Sequence, residues 1–299
     1  MLMSSEVQVP ELLKSLSVPL APIPTDEVPA LKKLSGIRAL VFDVYGTLLC
    51  SGVGDISTDQ ATDREPALRA AIEALGFKLL DAKTRLRALW VLEVQVHQSF
   101  RRDDGVDYPE VDIRLVWKTF LERLLKQGLI EGVFDESMLD RISVEYECRV
   151  NPAWPMPGFA ELLAALRSAR MPLGIISNAQ FFTPLLLESL AGGSLANLGF
   201  EVPACVWSYQ LLEAKPSTSL YELAAHYWKE SHGLNTHEIL YVGNDLLNDI
   251  WPAQQVGFKT ALFAGDARSL RWRKGDKRIA GVRPDIVLTE LKQIGSCIA

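Results

Sequence analysis

Short runs of apolar residues, each closed by a polar or turn-forming residue, recur along the chain. They are Ile37–Asp43, Leu173–Ser177, Ala204–Trp207, Ile239–Val242, Thr260–Phe263 and Ile286–Leu288. A short continuous apolar run without alternation is the pattern of a strand buried on both faces. Most are separated by segments with helical spacing of apolar positions: Phe159–Ala169, Thr218–Trp228 and Leu247–Val256. Strands alternating with helices predict βαβ units, and hence an α/β core built on a parallel sheet with helices on both faces.

Between the first and second of these strands the pattern changes. Glu65–Leu75, Lys83–Arg101, Val111–Gln127 and Glu136–Glu147 carry helical periodicity with almost no strand signal. Pro66 suits a first turn and Asp135 suits an N-cap. The expected organisation is an α/β core over 37–52 and 151–299, interrupted by an all-helical insertion over 53–150. Residues 1–36 carry prolines at 10, 19, 22, 24 and 29. Glu11–Leu16 is compatible with a short helix, but the prolines that follow are not. This segment is expected as an extension, either mobile or laid over the surface.

In open parallel sheets, ligands bind beyond the carboxyl ends of the strands. The first strand is followed by Asp43-Val44-Tyr45-Gly46-Thr47-Leu48 and the second by Ser177 and Asn178. Lys215-Pro216 precedes a helix, and Ile239–Val242 is followed by Gly243-Asn244-Asp245-Leu246-Leu247-Asn248-Asp249. One edge of the sheet thus gathers a carboxylate, a hydroxyl with an amide, an ammonium and a second acidic group. A carboxylate can act as a nucleophile on phosphorus or carbon. A lysine neutralises it, hydroxyl and backbone N–H groups bind phosphate oxygens, and a second acidic cluster can complete a Mg²⁺ site.

The order of these segments over residues 37–299 resembles the haloacid dehalogenase superfamily. That resemblance implies a Rossmann-like core, with the helical insertion as a cap that closes over the site and selects substrate. It implies Asp43 as the nucleophile of a covalent aspartyl intermediate, with Thr47 supporting the loop after it. Ser177 and Asn178 are implied to bind the transferred group, and Lys215 to hold the nucleophile and substrate charge. Asp43, the Tyr45 backbone carbonyl, Asn244, Asp245 and Asp249 are the implied Mg²⁺ set, with Asp245 favoured over Asp249 as the direct ligand.

The chain departs from the family's phosphatases at Tyr45, where they carry a general-acid aspartate. Acid–base help is worth ~10²–10⁴-fold, so a phosphatase built on Tyr45 is expected to be slow. Asp-x-Tyr-Gly-Thr also matches the first motif of the 2-haloacid dehalogenases, which need no leaving-group acid and no metal. Tyr221 fits that reading, and Arg69, Arg85, Arg87, Arg101 and Arg102 are possible counterparts of those enzymes' cap arginine. The acidic motif favours a Mg²⁺-dependent phosphatase of a small phosphorylated metabolite. A metal-independent dehalogenase and a catalytically weak binding protein are the alternatives. In the loop around Arg101–Glu110, Arg101 or Arg102 is the candidate anion ligand and Tyr108 a wall of the pocket. Trp90 and Trp117 read as core. Arg268–Arg278 reads as a solvated basic run.

Composition narrows the partners. The chain has 299 residues, 48% hydrophobic and 23% charged, with a net charge of −6. An acidic chain of ordinary globular usage argues against nucleic acid and anionic membrane as partners, and the lysine and hydroxyl at the strand ends leave a small anionic substrate as the expected partner. The most apolar stretch, Met171–Leu190, is broken by Asn178, Gln180, Pro184 and Glu188, too often to span a bilayer. Cys50, Cys148, Cys205 and Cys297 form no CxxC pair, and no signal-like segment opens the chain. A cytoplasmic location is the expectation.

Overall fold

The structure, a computed structural model, describes residues 8–53 and 63–298. Its strands are β1 (Ala39–Phe42), β2 (Leu49–Ser51), β3 (Lys78–Leu79), β4 (Ile130–Glu131), β5 (Ala153–Pro155), β6 (Leu173–Ser177), β7 (Phe200–Trp207), β8 (Ile239–Gly243), β9 (Lys259–Phe263) and β10 (Ile286–Leu288). Six of them form one sheet in the order β10-β9-β8-β1-β6-β7, and every pair in it is parallel. The chain runs outward from β1 to β6 and β7, then returns to the other side of β1 to lay down β8, β9 and β10. The crevice at this reversal, beyond the carboxyl ends of β1, β6 and β8, is where open α/β sheets bind ligands.

Side chains alternate across the sheet. Leu40 and Phe42 join Leu173, Ile175, Leu240 and Val242 in the larger core cluster. Ala39 and Val41 join Ile176, Val206, Ile239 and Tyr241 beneath Leu220, Tyr221, Ala224 and Trp228 of the helix Ser219–His232. Both faces are therefore dry, which is why these strands read as unbroken apolar runs rather than alternating ones.

Around the edge strand of the sheet, two elements differ from the sequence expectation. β7 starts four residues early and contains Pro203. It lies at the sheet edge, where a missing N–H removes no ladder bond. Phe182–Ala191 is a helix where the sequence shows only an apolar stretch after β6. Pro184 falls in its first turn, which proline tolerates, and Gly192 ends it at φ 74°.

The helices Glu65–Ala74, Leu86–Asp103, Ile113–Lys126 and Ser137–Val150 enclose a cluster of their own, including Leu68, Ile72, Trp117, Phe120, Leu121 and Ile142. Trp90 and Trp117 lie 4.2 Å apart between ring centroids at its centre. The small ribbon β3–β4 and the antiparallel pair β2–β5 were not anticipated. The second ties together the two chain passages between the sheet and these helices. The expected start of the insertion, 54–62, lies outside the described residues.

Helix Ser137–Val150 has three working faces. Leu139, Ile142, Tyr146 and Val150 enter the helical cluster. Val144 and Cys148 meet the sheet-side core. Ser143 and Glu147, one turn apart, line a cavity between the two bodies. The N-terminal segment also lies on the molecule. Helix Val9–Leu16 buries Leu12 and Leu13 in the sheet-side core, and Ala30 exchanges backbone hydrogen bonds with Val287 of β10. Residues 1–7 of the extension lie outside the described residues. No helix among the described residues is long and apolar enough to cross a membrane.

Candidate active site

Asp43 is the first residue past β1, and its N–H still bonds the Val242 carbonyl at 2.9 Å. It is 6% exposed. Its Oδ1 accepts two bonds, from Ser177 Oγ at 2.9 Å and from Lys215 Nζ at 2.7 Å. Its Oδ2 accepts none from the described residues, and Asp43 lines the cavity. One carboxylate oxygen is thus held and polarised by Ser177 and Lys215, while the other takes no bond from the described residues.

The loop after Asp43 turns sharply at Gly46, with φ 84°, a conformation that favours glycine. A Cβ there would also lie 2.7 Å from Asn244 Nδ2. That closeness lets Thr47 Oγ1 donate to Asn244 Oδ1 at 3.0 Å, while Asn244 Nδ2 donates to the Ser269 carbonyl. Asn178 is engaged with the Lys215 backbone, accepting from its N–H at 2.7 Å. Thr47, Asn178 and Asn244 therefore hold loops in register. Lys215 is almost wholly buried and bridges Asp43 and Asp249, the latter at 2.6 Å. Burial alone lowers its pKa, but Asp249 and Asp43 outweigh that and hold it above the usual lysine value, so it stays an ammonium.

Asp249 sits in a π-type turn, Leu246–Ile250, which leads into helix Trp251–Val256. The expected single helix Leu247–Val256 is thus preceded by a wider turn. Asp249 Oδ2 accepts from the backbone N–H groups of Asn244 and Asp245, both at 2.9 Å. Its Oδ1 accepts from Lys215, with the Tyr241 hydroxyl at 3.0 Å. A Cβ on Gly243 would lie 2.4 Å from the Asp249 carboxyl carbon, so only glycine admits this carboxylate against the strand end.

Asp245 is bound differently. Its Oδ1 caps the turn through the Leu247 and Asn248 N–H groups. Arg273 Nη2 reaches its Oδ2 at 2.5 Å, with Nε at 3.1 Å. Burial pushes the Asp245 carboxyl up, and Arg273 offsets part of that. Arg273 has φ 49°, a left-handed conformation that costs a non-glycine residue on the order of 1–3 kcal/mol. Far from being part of a solvated basic run, it is bent into the site.

Mg²⁺ binds through one or two carboxylates, with water and substrate oxygens completing an octahedron. Of the expected set, Asp245 is taken by Arg273 and two N–H groups, Asp249 by Lys215, Tyr241 and two more, and Asn244 by Thr47 and Ser269. Asp43 Oδ2 and the Tyr45 carbonyl remain. No group of three or more His, Cys, Asp or Glu is placed for a metal among the described residues. Protein cations and backbone N–H groups neutralise Asp245 and Asp249, so neither carboxylate is left open to a Mg²⁺ ion as the side chains stand.

The cavity measures about 910 Å³. Tyr45 lines it, its hydroxyl 3.1 Å from Thr183 Oγ1. Burial first, then the Glu147 charge, raises its pKa well above the ordinary tyrosine value, so it keeps its proton. Arg102, Tyr108, Arg87 and Arg271 are also at the wall. Tyr108 accepts a backbone bond from Ala214, which brings the loop around Tyr108 against the Lys215 segment. Arg101 does not reach the cavity: its guanidinium turns to Asp104 at 3.0 Å, one helical turn on. Arg69 is likewise held by Glu65. Tyr221 is packing, fully buried with its hydroxyl on the Asn248 carbonyl.

The model of the haloacid dehalogenase-like hydrolases matches residues 37–257. The chain belongs to this hydrolase family. Solved structures are similar to the chain. A 2-haloacid dehalogenase from Pseudomonas syringae is similar with a TM-score of 0.55 at 19% identity, covering 87% of this chain and 97% of that one. An L-2-haloacid dehalogenase from Xanthobacter autotrophicus gives 0.47 at 22% identity, over 87% and 97%. A predicted phosphoglycolate phosphatase from Haemophilus somnus gives 0.46 at 17%, over the same shares. No curated protein sequence matches the chain. Within this hydrolase site, sequence reasoning missed Arg273, Tyr241 and Glu147. The first sits in a basic run, the second in an apolar strand run, and the third in a charged helix end. Arg273 is marked only by Asp245, 28 residues away, and Tyr241 by Asp249 and by Lys215, 26 residues away; Glu147 is marked only by its place in the cavity wall.

Proposed function

We propose that the chain is a metal-independent hydrolase of a small anionic substrate, in which Asp43 Oδ2 displaces a leaving group from carbon. A 2-halo acid is the substrate class that suits it best. The observation that carries this reading is the division of labour on Asp43: Lys215 and Ser177 both donate to Oδ1, and Oδ2 has no donor among the described residues. Attack by Oδ2 makes an ester whose carbonyl oxygen is Oδ1. Water attack on that ester places negative charge on Oδ1, where an ammonium and a hydroxyl already stand at hydrogen-bond distance. Donors fixed where charge develops act as an oxyanion hole, worth ~10²–10³-fold each. A halide leaves with its electron pair and needs no proton, so a tyrosine at position 45 is no handicap.

The Mg²⁺-dependent phosphatase expected from the sequence requires Arg273 to release Asp245. The test separates the two. The purified chain is incubated with 2-chloropropionate and with a panel of phosphomonoesters, each with EDTA or with Mg²⁺. Chloride release that EDTA leaves unchanged supports the proposal. Phosphate release that depends on Mg²⁺, with no chloride, replaces it with the phosphatase.

A further inference from the structure

Ester hydrolysis needs a base to take a proton from water, and apart from Asp107, which is exposed, and Glu147, the other carboxylates lining the cavity with Asp43 are committed elsewhere. Asp249 is held by Lys215 and two backbone N–H groups. Asp245 is paired with Arg273. Glu110 accepts from the Val111 N–H with one oxygen and from the Ser208 hydroxyl with the other. Tyr45 keeps its proton. No histidine lines the cavity among the described residues.

Glu147 is different. It projects from the cavity face of helix Ser137–Val150, in the wall that also holds Asp43 and Tyr45. It is 9% exposed. Its Oε1 accepts from Asn151 Nδ2 at 2.9 Å, and Asn151 Oδ1 accepts from Ser51 Oγ at 2.7 Å. Ser51 ends β2 and Asn151 precedes β5, so the paired linkers orient this carboxyl. Its Oε2 receives no hydrogen bond from the described residues. The titratable groups near it are Arg64 ahead of helix Glu65–Ala74, Tyr146 and Cys148 on its own helix, and Tyr45, which feels the charges of Glu147 and Asp43 alike.

We infer that Glu147 is the general base of ester hydrolysis, supplied by the helical cap; this rests on the Asp43 reading. The steps balance. Asp43 Oδ2 bonds to the substrate carbon, and chloride leaves with the C–Cl pair. Water oxygen attacks Asp43 Cγ as Glu147 takes one water proton. The Cγ–Oδ2 bond then breaks with its pair on Oδ2, which leaves as the product hydroxyl oxygen and takes the proton back from Glu147. The remaining water proton leaves Asp43 to solvent. Burial pushes the Glu147 carboxyl up to about 7, which matches a base working near neutral pH.

The test is Glu147→Gln, which preserves shape and an acceptor for Asn151. With 2-chloropropionate as probe, the variant is expected to release one chloride per chain and then stall. Steady turnover falls ~10²–10⁴-fold. Intact-mass spectrometry shows the Asp43 ester accumulating in the variant and not in wild type. Turnover within threefold of wild type, with no accumulated ester, overturns the role of Glu147. No chloride and no ester from wild type overturns the Asp43 reading and this inference with it. Should the variant misfold, the wild-type pH profile decides. Ester hydrolysis must rise with pH through a value near 7, and a flat profile overturns the inference.

Discussion

Arg273 grips Asp245 through two nitrogens, its Nη2 2.5 Å and its Nε 3.1 Å from the same carboxylate oxygen. The two are 28 residues apart, and a backbone bridge between Asp245 and Arg271 keeps the segments side by side. The position expected to face a metal is therefore neutralised by a guanidinium that is part of the chain. Removing one partner of such a pair leaves a buried charge. Arg273→Ala is expected to destabilise the fold by about 2–4 kcal/mol, at the lower end of buried pairs because the arginine is partly exposed. Arg273→Ala combined with Asp245→Asn should recover much of that loss. Urea denaturation of the two variants checks it. Isothermal titration with Mg²⁺ should show no saturable binding to wild type.

Asp43→Asn removes the nucleophile while keeping an acceptor for Ser177 and Lys215. Turnover should fall by several orders of magnitude, as it does when a nucleophile is deleted. No ester should form on the variant, and circular dichroism should show an intact fold. A variant that retains turnover would remove Asp43 from the chemistry.

Glu147 also predicts a pH dependence of stability. Its folded pKa is about 7, above the ordinary glutamate value because burial disfavours the anion. Below about pH 4.5 the carboxyl is protonated in both folded and unfolded chains, and its contribution is fully present. Between there and pH 7 the folded chain holds a proton that the unfolded chain has released, so stability declines as pH rises. The loss totals about 3 kcal/mol and levels off above pH 7. Glu147→Gln should flatten this part of the profile, measured as urea midpoints from pH 5 to 8.

Leu13 is fully buried in the sheet-side core, although it belongs to the N-terminal extension. Leu13→Ala is expected to cost about 2–5 kcal/mol, the range for a core leucine that leaves a cavity. Thermal denaturation is the check. A shift within the noise would show that the helix Val9–Leu16 adds nothing to the stability of the sheet.

The strands of the central sheet were legible because both of their faces are dry. β6 and β10 fall on the residues expected, and β8 and β9 differ by one residue at an end. Helix Phe182–Ala191 was hidden because it continues the apolar run of β6 with only Ser177, Asn178 and Gln180 as punctuation, and composition alone does not separate strand from helix there. The order of Asp43, Ser177, Lys215 and the Asn244–Asp249 segment pointed to one sheet edge, and the fold brings them together. Arg101 was misplaced because two adjacent arginines at a helix end look alike in sequence, and helix rotation sends one to Asp104 and the other to the cavity.

The sequence by itself determined the α/β architecture, the helical insertion and the cluster of chemical groups beyond the strand ends. Periodicity and strand order are local or ordinal properties, and a chain carries them openly. Tertiary structure decided which charges neutralise which. Arg273 closes on Asp245, Lys215 bridges Asp43 and Asp249, and Glu147 reaches the shared cavity from the third face of a helix. Those pairings depend on distances of a few ångströms between residues tens to hundreds of positions apart, because electrostatic and hydrogen-bond energies follow separation in space and not along the chain.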